Sequence, residues 1–138
     1  MAHGSWVMGE SDMSEIKFSF EDLEVWQKAV DFAVNVINIA EIINTNWNHY
    51  RIIEQLESSV TSISANIAEG KGRNSKKEFI QYLYIARGSL FETITFLTIF
   101  YKKKWISSSN LNDIRIAGDT IGKQLSSLIN SIKKTIEP

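Results

Sequence analysis

The sequence predicts an all-α protein, an antiparallel up-down-up-down four-helix bundle. Three observations carry that expectation. Apolar residues recur at helical spacing through four stretches, and no alternating strand-like pattern or internal repeat accompanies them. Proline occurs once in 138 residues, at the final position, so nothing breaks long helices. The connections between stretches run to about four to eight residues, short enough to force antiparallel neighbours.

Residues 1–17 are expected to form a disordered leader, because the opening MAHGSWVMGESD has no apolar periodicity and a second methionine follows at Met13. Residues 18–138 are expected to form one domain, a length at which a single core is feasible. The first helix is placed from Ser19, where Ser19-Phe20-Glu21-Asp22 reads as a capping box. Leu23, Trp26, Val30, Val34 and Ile37 form one apolar series on it; Val25, Ala29, Phe32, Val36, Ile39 and Ile43 form another. Together they cover roughly 220° of the circumference, against ~100° for an ordinary surface helix. Two apolar faces predict a homo-oligomer, with Val25, Phe32, Val36 and Ile39, and Phe96 from the third helix, at the subunit interface.

An asparagine-rich turn follows at residues 44–48. The second helix carries Ile53, Leu56, Val60, Ile63 and Ile67, and stops at Gly70-Lys71-Gly72. Ser75-Lys76-Lys77-Glu78 is a further capping box and opens the third helix, which can run to about Lys104. That helix is apolar almost all round, as a centrally buried helix is. Arg87 and Glu92 fall within any window of the ~20 residues a membrane span needs, which argues against a span and against a membrane partner. Residues 107–110 read as a loop and cap. The fourth helix then presents Leu111, Ile114, Ile121, Leu125, Leu128 and Ile132 on one face.

Composition excludes several classes of chemistry. With no cysteine there is no disulfide scaffold, thiol catalysis or cysteine-ligated metal. His3 and His49 are the only histidines, too few for a multi-histidine centre, so neither metal nor cofactor is expected. The composition suits a soluble, cytoplasmic protein. A serine nucleophile would lack a base, since His3 lies in the leader and His49 in a turn. Gly70-Lys71-Gly72-Arg73 has the spacing of neither nucleotide fingerprint. No enzyme is expected.

The net charge of −1 gives no global case for nucleic acid, but its distribution does. Residues 1–57 carry a net −7 and residues 71–104 a net +6. Around the second turn, Lys71, Arg73, Lys76 and Lys77 stand beside Asn74, Ser75 and the N-terminus of the third helix, a set suited to phosphate. Arg87 is a lesser candidate. An antiparallel bundle places the run Lys102–Lys104 at the opposite end. Asn66 and Glu69 are expected to organise the corner between helices two and three. Glu69 has two readings: a partner for Arg87, Arg73 or backbone N–H groups, or a ligand-binding carboxylate in a cavity.

The stretches FEDLEVWQKA (20–29), SISANIAEGKGR (62–73), SKKEF (75–79) and YIARGSL (84–90) occur in that order. In this the sequence resembles the four-helix bundle family of 23S rRNA intervening-sequence proteins (ribosomal protein S23-like), over about residues 18–136. The resemblance implies a short bacterial protein often encoded within rRNA intervening sequences. It also implies a ring-like homopentamer and kinship with the accessory proteins of diversity-generating retroelements, thought to bind nucleic acid and a reverse transcriptase. The partners implied are therefore further copies of the chain and structured RNA or a nucleic-acid enzyme, with no catalysis. One departure bears on this. Members of the family often carry two arginines followed by alanines where this chain has Glu57, Ser58, Ser59 and Val60. Losing two guanidiniums weakens any phosphate-binding surface on that helix. The expectation is a non-catalytic RNA-associated module, with a protein–protein scaffold as the alternative.

Overall fold

The computed structural model describes residues 15–136. A short 3-10 turn, Ser19–Asp22, precedes four helices: α1 (Glu24–Glu41), α2 (Tyr50–Lys71), α3 (Lys76–Lys102) and α4 (Ser108–Ile136). No strand occurs among the described residues. The leader expected over residues 1–17 lies mostly outside them; its last residue, Lys17, pairs with Asp22 at 3.0 Å.

The first helix begins later than expected. Glu21 does act as a cap, but its carboxylate accepts from the Phe18 N–H at 3.1 Å, inside the 3-10 turn. Leu23 is then extended (φ −75°, ψ 119°), and α1 starts at Glu24. Aromatic packing explains the early turn. The Phe20 ring lies 5.1 Å from Trp26 and 5.7 Å from Phe18, and the Gln27 amide donates to the Glu21 carbonyl at 2.7 Å. The turn folds back over the start of α1 and also touches α2.

That packing corrects the expected interface. Val25, Phe32 and Val36 are buried in the subunit's own core, so they present nothing to another copy. Ile39 and Phe96 are half-buried and pack against that core. The wide apolar arc of α1 is covered from three sides, by α2, α4 and the 3-10 turn. Of its outer series, Trp26, Val30 and Ile37 are half-buried and Val34 is 52% exposed.

The eight residues between α1 and α2 make a tight reversal. Asn46, Trp47 and His49 all have positive φ (55°, 69° and 66°). Asparagine tolerates that region, and the Asn44 side chain accepts from the Asn46 N–H at 3.2 Å. Nothing in the residue types of Trp47 and His49 announces it. His49 is held in ring contact with Trp105, 5.2 Å away.

Helix α3 opens as its capping box predicts: the Ser75 hydroxyl accepts from the Glu78 N–H at 3.1 Å. It closes two residues earlier than expected. Trp105 N–H donates to the Phe100 carbonyl and Lys104 N–H to that of Tyr101, both at 2.9 Å, while Lys104 takes φ 65°. This is a Schellman closure with lysine at the left-handed position, reinforced by Phe100–Trp105 ring contact at 5.0 Å. A left-handed lysine costs roughly 1–2 kcal/mol. Lys104→Gly is therefore expected to raise stability by about 1 kcal/mol, read as a higher urea midpoint at unchanged slope. The loop expected over residues 107–110 is shorter, because the Ser107 hydroxyl accepts from Asn110 N–H at 3.0 Å and α4 begins at Ser108.

The helices form a closed circuit, α1 against α2 and α4, α2 against α3, and α3 against α4. Along the α2–α3 seam numbers fall on one helix as they rise on the other. Ser59 hydrogen-bonds Thr93 at 2.9 Å and Ser62 bonds Ser89. Gly70 meets Phe79 and Tyr82. On the α3–α4 seam Leu90 meets Gly122, Arg87 meets Ser126 and Tyr84 meets Lys133. Both pairs are antiparallel. The core holds Phe32, Leu56, Ile63, Ile67, Leu83, Leu90, Leu97, Phe100, Ile121, Leu125 and Ile129. Helix α3 has the length and composition to cross a membrane, yet here it supplies Leu83, Leu90, Leu97 and Phe100 to that core.

Two glycines separate close packing from bare helix propensity. A Cβ on Gly70 would lie 2.6 Å from the Tyr82 Cβ, which cannot swing aside. A Cβ on Gly88 would meet nothing within 4 Å. Gly70→Ala should cost about 1–3 kcal/mol through overpacking, whereas Gly88→Ala should gain about 1 kcal/mol. Thermal or urea unfolding of the two variants checks the opposite signs.

Candidate nucleic-acid interface

The end of α2, the start of α3 and the end of α4 meet at one end of the bundle. Lys71, Arg73, Lys76 and Lys77 are all exposed there. The structure gives them different jobs. The Arg73 guanidinium binds the Glu69 carboxylate at 2.7 Å, bonds the Tyr82 hydroxyl and lies 4.9 Å from the Tyr82 ring centroid. It is a clamp between α2 and α3, with only part of its charge left for a ligand. Lys76 reaches across to α4 and donates to the Thr135 hydroxyl at 3.0 Å. Lys71 and Lys77 point to solvent with their charge uncompensated by any ion pair among the described residues.

Of the two readings of Glu69, pairing with Arg73 holds. Its side chain is 54% exposed and engaged by Arg73, an ion pair at the surface and not a carboxylate buried in the bundle. Asn66 is half-buried and donates to the Ser62 carbonyl at 2.7 Å, one turn back on its own helix. It braces α2 and does not join the Glu69–Arg73 pair.

Arg87 stands more than two turns along α3 from Lys77 and belongs to a neighbouring feature, an open groove of about 1030 Å³ between α3 and α4. It donates to the Ser126 hydroxyl at 3.1 Å. Its guanidinium lies 4.9 Å from the Tyr84 ring and 5.9 Å from that of Phe91. Also between α3 and α4, Lys133 donates to the Tyr84 hydroxyl at 2.8 Å. That hydrogen bond, aided by the Lys133 and Arg87 charges, holds the Tyr84 phenol below its ordinary pKa of 10.0. Lys133→Ala is accordingly expected to raise the Tyr84 pKa, measurable by ultraviolet titration of the phenolate.

Lys133 and Lys134 do not stand out in the sequence. As the last turn of α4 they look like ordinary helix-end cations. Only the antiparallel return of α4 brings them beside the start of α3, and that consequence of topology was available from the sequence. The corner itself holds Lys71, Arg73, Lys76 and Lys77 against Glu69 and Glu78, two excess positive charges among the described residues, while Lys133 is held at Tyr84 and Lys134 lines the adjoining groove. The unpaired N–H groups of the first turn of α3 add the positive end of a 27-residue helix. Such an arrangement binds phosphate oxygens. No group of three or more His, Asp or Glu placed to hold a metal occurs among the described residues. The basic run at Lys102–Lys104 closes the opposite end of the bundle, as the topology requires.

Fold and corner together define a small all-α four-helix protein with a phosphate-compatible basic end. Residues 21–127 match the family described as 23S rRNA-intervening sequence protein, and the chain belongs to that family. It is similar to a crystal structure of a protein of unknown function from the S23 ribosomal protein family of Bacteroides thetaiotaomicron. The two are 30% identical over 76% of this chain and 97% of that one, with a TM-score of 0.71. No curated protein matches the chain.

Proposed function

We propose that this protein is a non-catalytic, RNA-associated module that works as an assembly of its own copies. One observation carries the reading. Lys71, from the end of α2, shares a depression with Lys76 at the N-terminus of α3, where Lys77 follows and Lys76 touches the end of α4 through Thr135. Cations at the C-terminus of a helix are ordinary capping, but Lys76 and Lys77 stand at the unfavourable end of the α3 dipole. A phosphate placed between them would be stabilised by the lysines and the dipole at once. The exchange of the family's arginine pair for Glu57 and Ser58 does not touch this end, since both belong to the middle of α2.

Assembly rests on the apolar surface left outside, Val34 at 52% and Ile42 at 70% exposure on the α1 side, and on the family resemblance to a pentamer. Light scattering of the purified protein should give a mass near five times 15.7 kDa. A mass near one subunit would remove the assembly from the proposal. RNA association is tested by titrating a labelled structured RNA. If no salt-sensitive binding appears, a protein–protein scaffold replaces it.

A further inference from the structure

The groove between α3 and α4 has a composition that phosphate binding alone leaves unexplained. Its floor is apolar, with Leu90 and Ile94, and Phe91 stands 56% exposed at its edge. Arg87 is held between the Tyr84 and Phe91 rings by Ser126, which props the half-exposed phenyl at the lip of the groove. The α4 wall is polar and basic, with Arg115, Lys123 and Lys134. At 1.5 Å per residue these cations are spread over roughly 28 Å of helix. The one acid in the lining, Asp119, is bound to Lys123 at 2.9 Å.

Resting on the RNA-associated reading above, we propose that this groove takes single-stranded nucleic acid, with unstacked bases against Phe91 and phosphates along the α4 wall and at Arg87. A duplex presents phosphates and base edges but hides its ring faces, so an apolar floor and an exposed phenyl have no partner in it. Single strands expose those faces, and stacking on aromatic and guanidinium planes is tolerant of sequence. An acidic amphipathic helix fits less well, because its apolar stripe would meet Ser127, Asn130 and Ser131 on the α4 side. Ser131 also lines the small depression at the Lys71–Lys76 corner, so a strand leaving the groove runs directly onto the basic end.

Fluorescence anisotropy with a labelled 12-nucleotide oligouridine, the matching oligothymidine and a 12-base-pair RNA duplex tests this. Wild-type protein should bind a single strand ahead of the duplex; the RNA and DNA arms identify the source, and either one ahead of duplex supports the proposal. Phe91→Ala, at an exposed position and with helix content checked by circular dichroism, should weaken single-strand binding roughly 5- to 100-fold and leave the duplex unmoved. Lys76→Glu with Lys77→Glu should weaken both. Duplex bound as tightly as single strand, or Phe91→Ala without effect, overturns the groove while the corner stands. If no nucleic acid binds, the RNA-associated reading fails with it. A Phe91→Ala protein that loses mass in light scattering instead marks the groove as an interface between copies, which also overturns the proposal.

Discussion

Lys76→Glu combined with Lys77→Glu should reduce the salt dependence of RNA binding by about two in the slope of log K against log salt, about one for each phosphate left without its lysine. The effect exceeds simple neutralisation. Two new carboxylates would join Glu78 in the first turn of α3, so the corner would change from a net excess of two positive charges to two negative. A carboxylate near a helix N-terminus favours the helix, so the fold should survive what the binding does not. Salt-series titrations of wild type and variant, with circular dichroism alongside, separate the two. Arg73→Glu is a poorer probe, because it also breaks the Glu69 and Tyr82 contacts that tie α2 to α3.

Phe100→Ala should destabilise the protein by about 3–5 kcal/mol, the usual range for deleting a buried ring. Phe100 is fully buried, and its ring meets Trp105 at 5.0 Å and Phe96 at 6.5 Å. Its carbonyl also accepts the Trp105 N–H that closes α3. The substitution keeps that carbonyl, so the loss combines a cavity with removal of the ring contact to Trp105 that backs the helix closure. Urea unfolding should show a lower midpoint, with the slope kept if the transition stays two-state. A loss below about 1 kcal/mol would mean that neighbouring side chains collapse into the space.

The parts of the fold legible in the sequence are those set by local rules. Ser75 with Glu78 fixes the start of α3 because a hydroxyl and a free N–H three residues on need only each other. The core face of α2 follows from spacing alone, and Leu56, Val60, Ile63 and Ile67 are all fully buried. The parts that were not legible depend on what lies across the chain. Ser19–Asp22 has the residues of a capping box, but Phe20 packing on Trp26 turned it into a 3-10 segment and moved the helix start to Glu24. The breadth of the apolar arc on α1 was readable. Its meaning was not, because a neighbouring copy and an intramolecular turn cover such a face equally well. At the basic end, Lys71, Lys76 and Lys77 could be found from local charge. Arg73 as a clamp could not, since the partner that engages it along with Glu69 is Tyr82, nine residues away on the next helix.

The most direct measurement is the affinity of the purified wild-type protein for a structured RNA between about 50 and 200 mM salt. Four phosphate contacts from Lys71, Lys76, Lys77 and Lys134 are expected to give a slope of about −3 to −4. Absence of binding at the low-salt end, or binding that is indifferent to salt, would contradict a phosphate-reading corner.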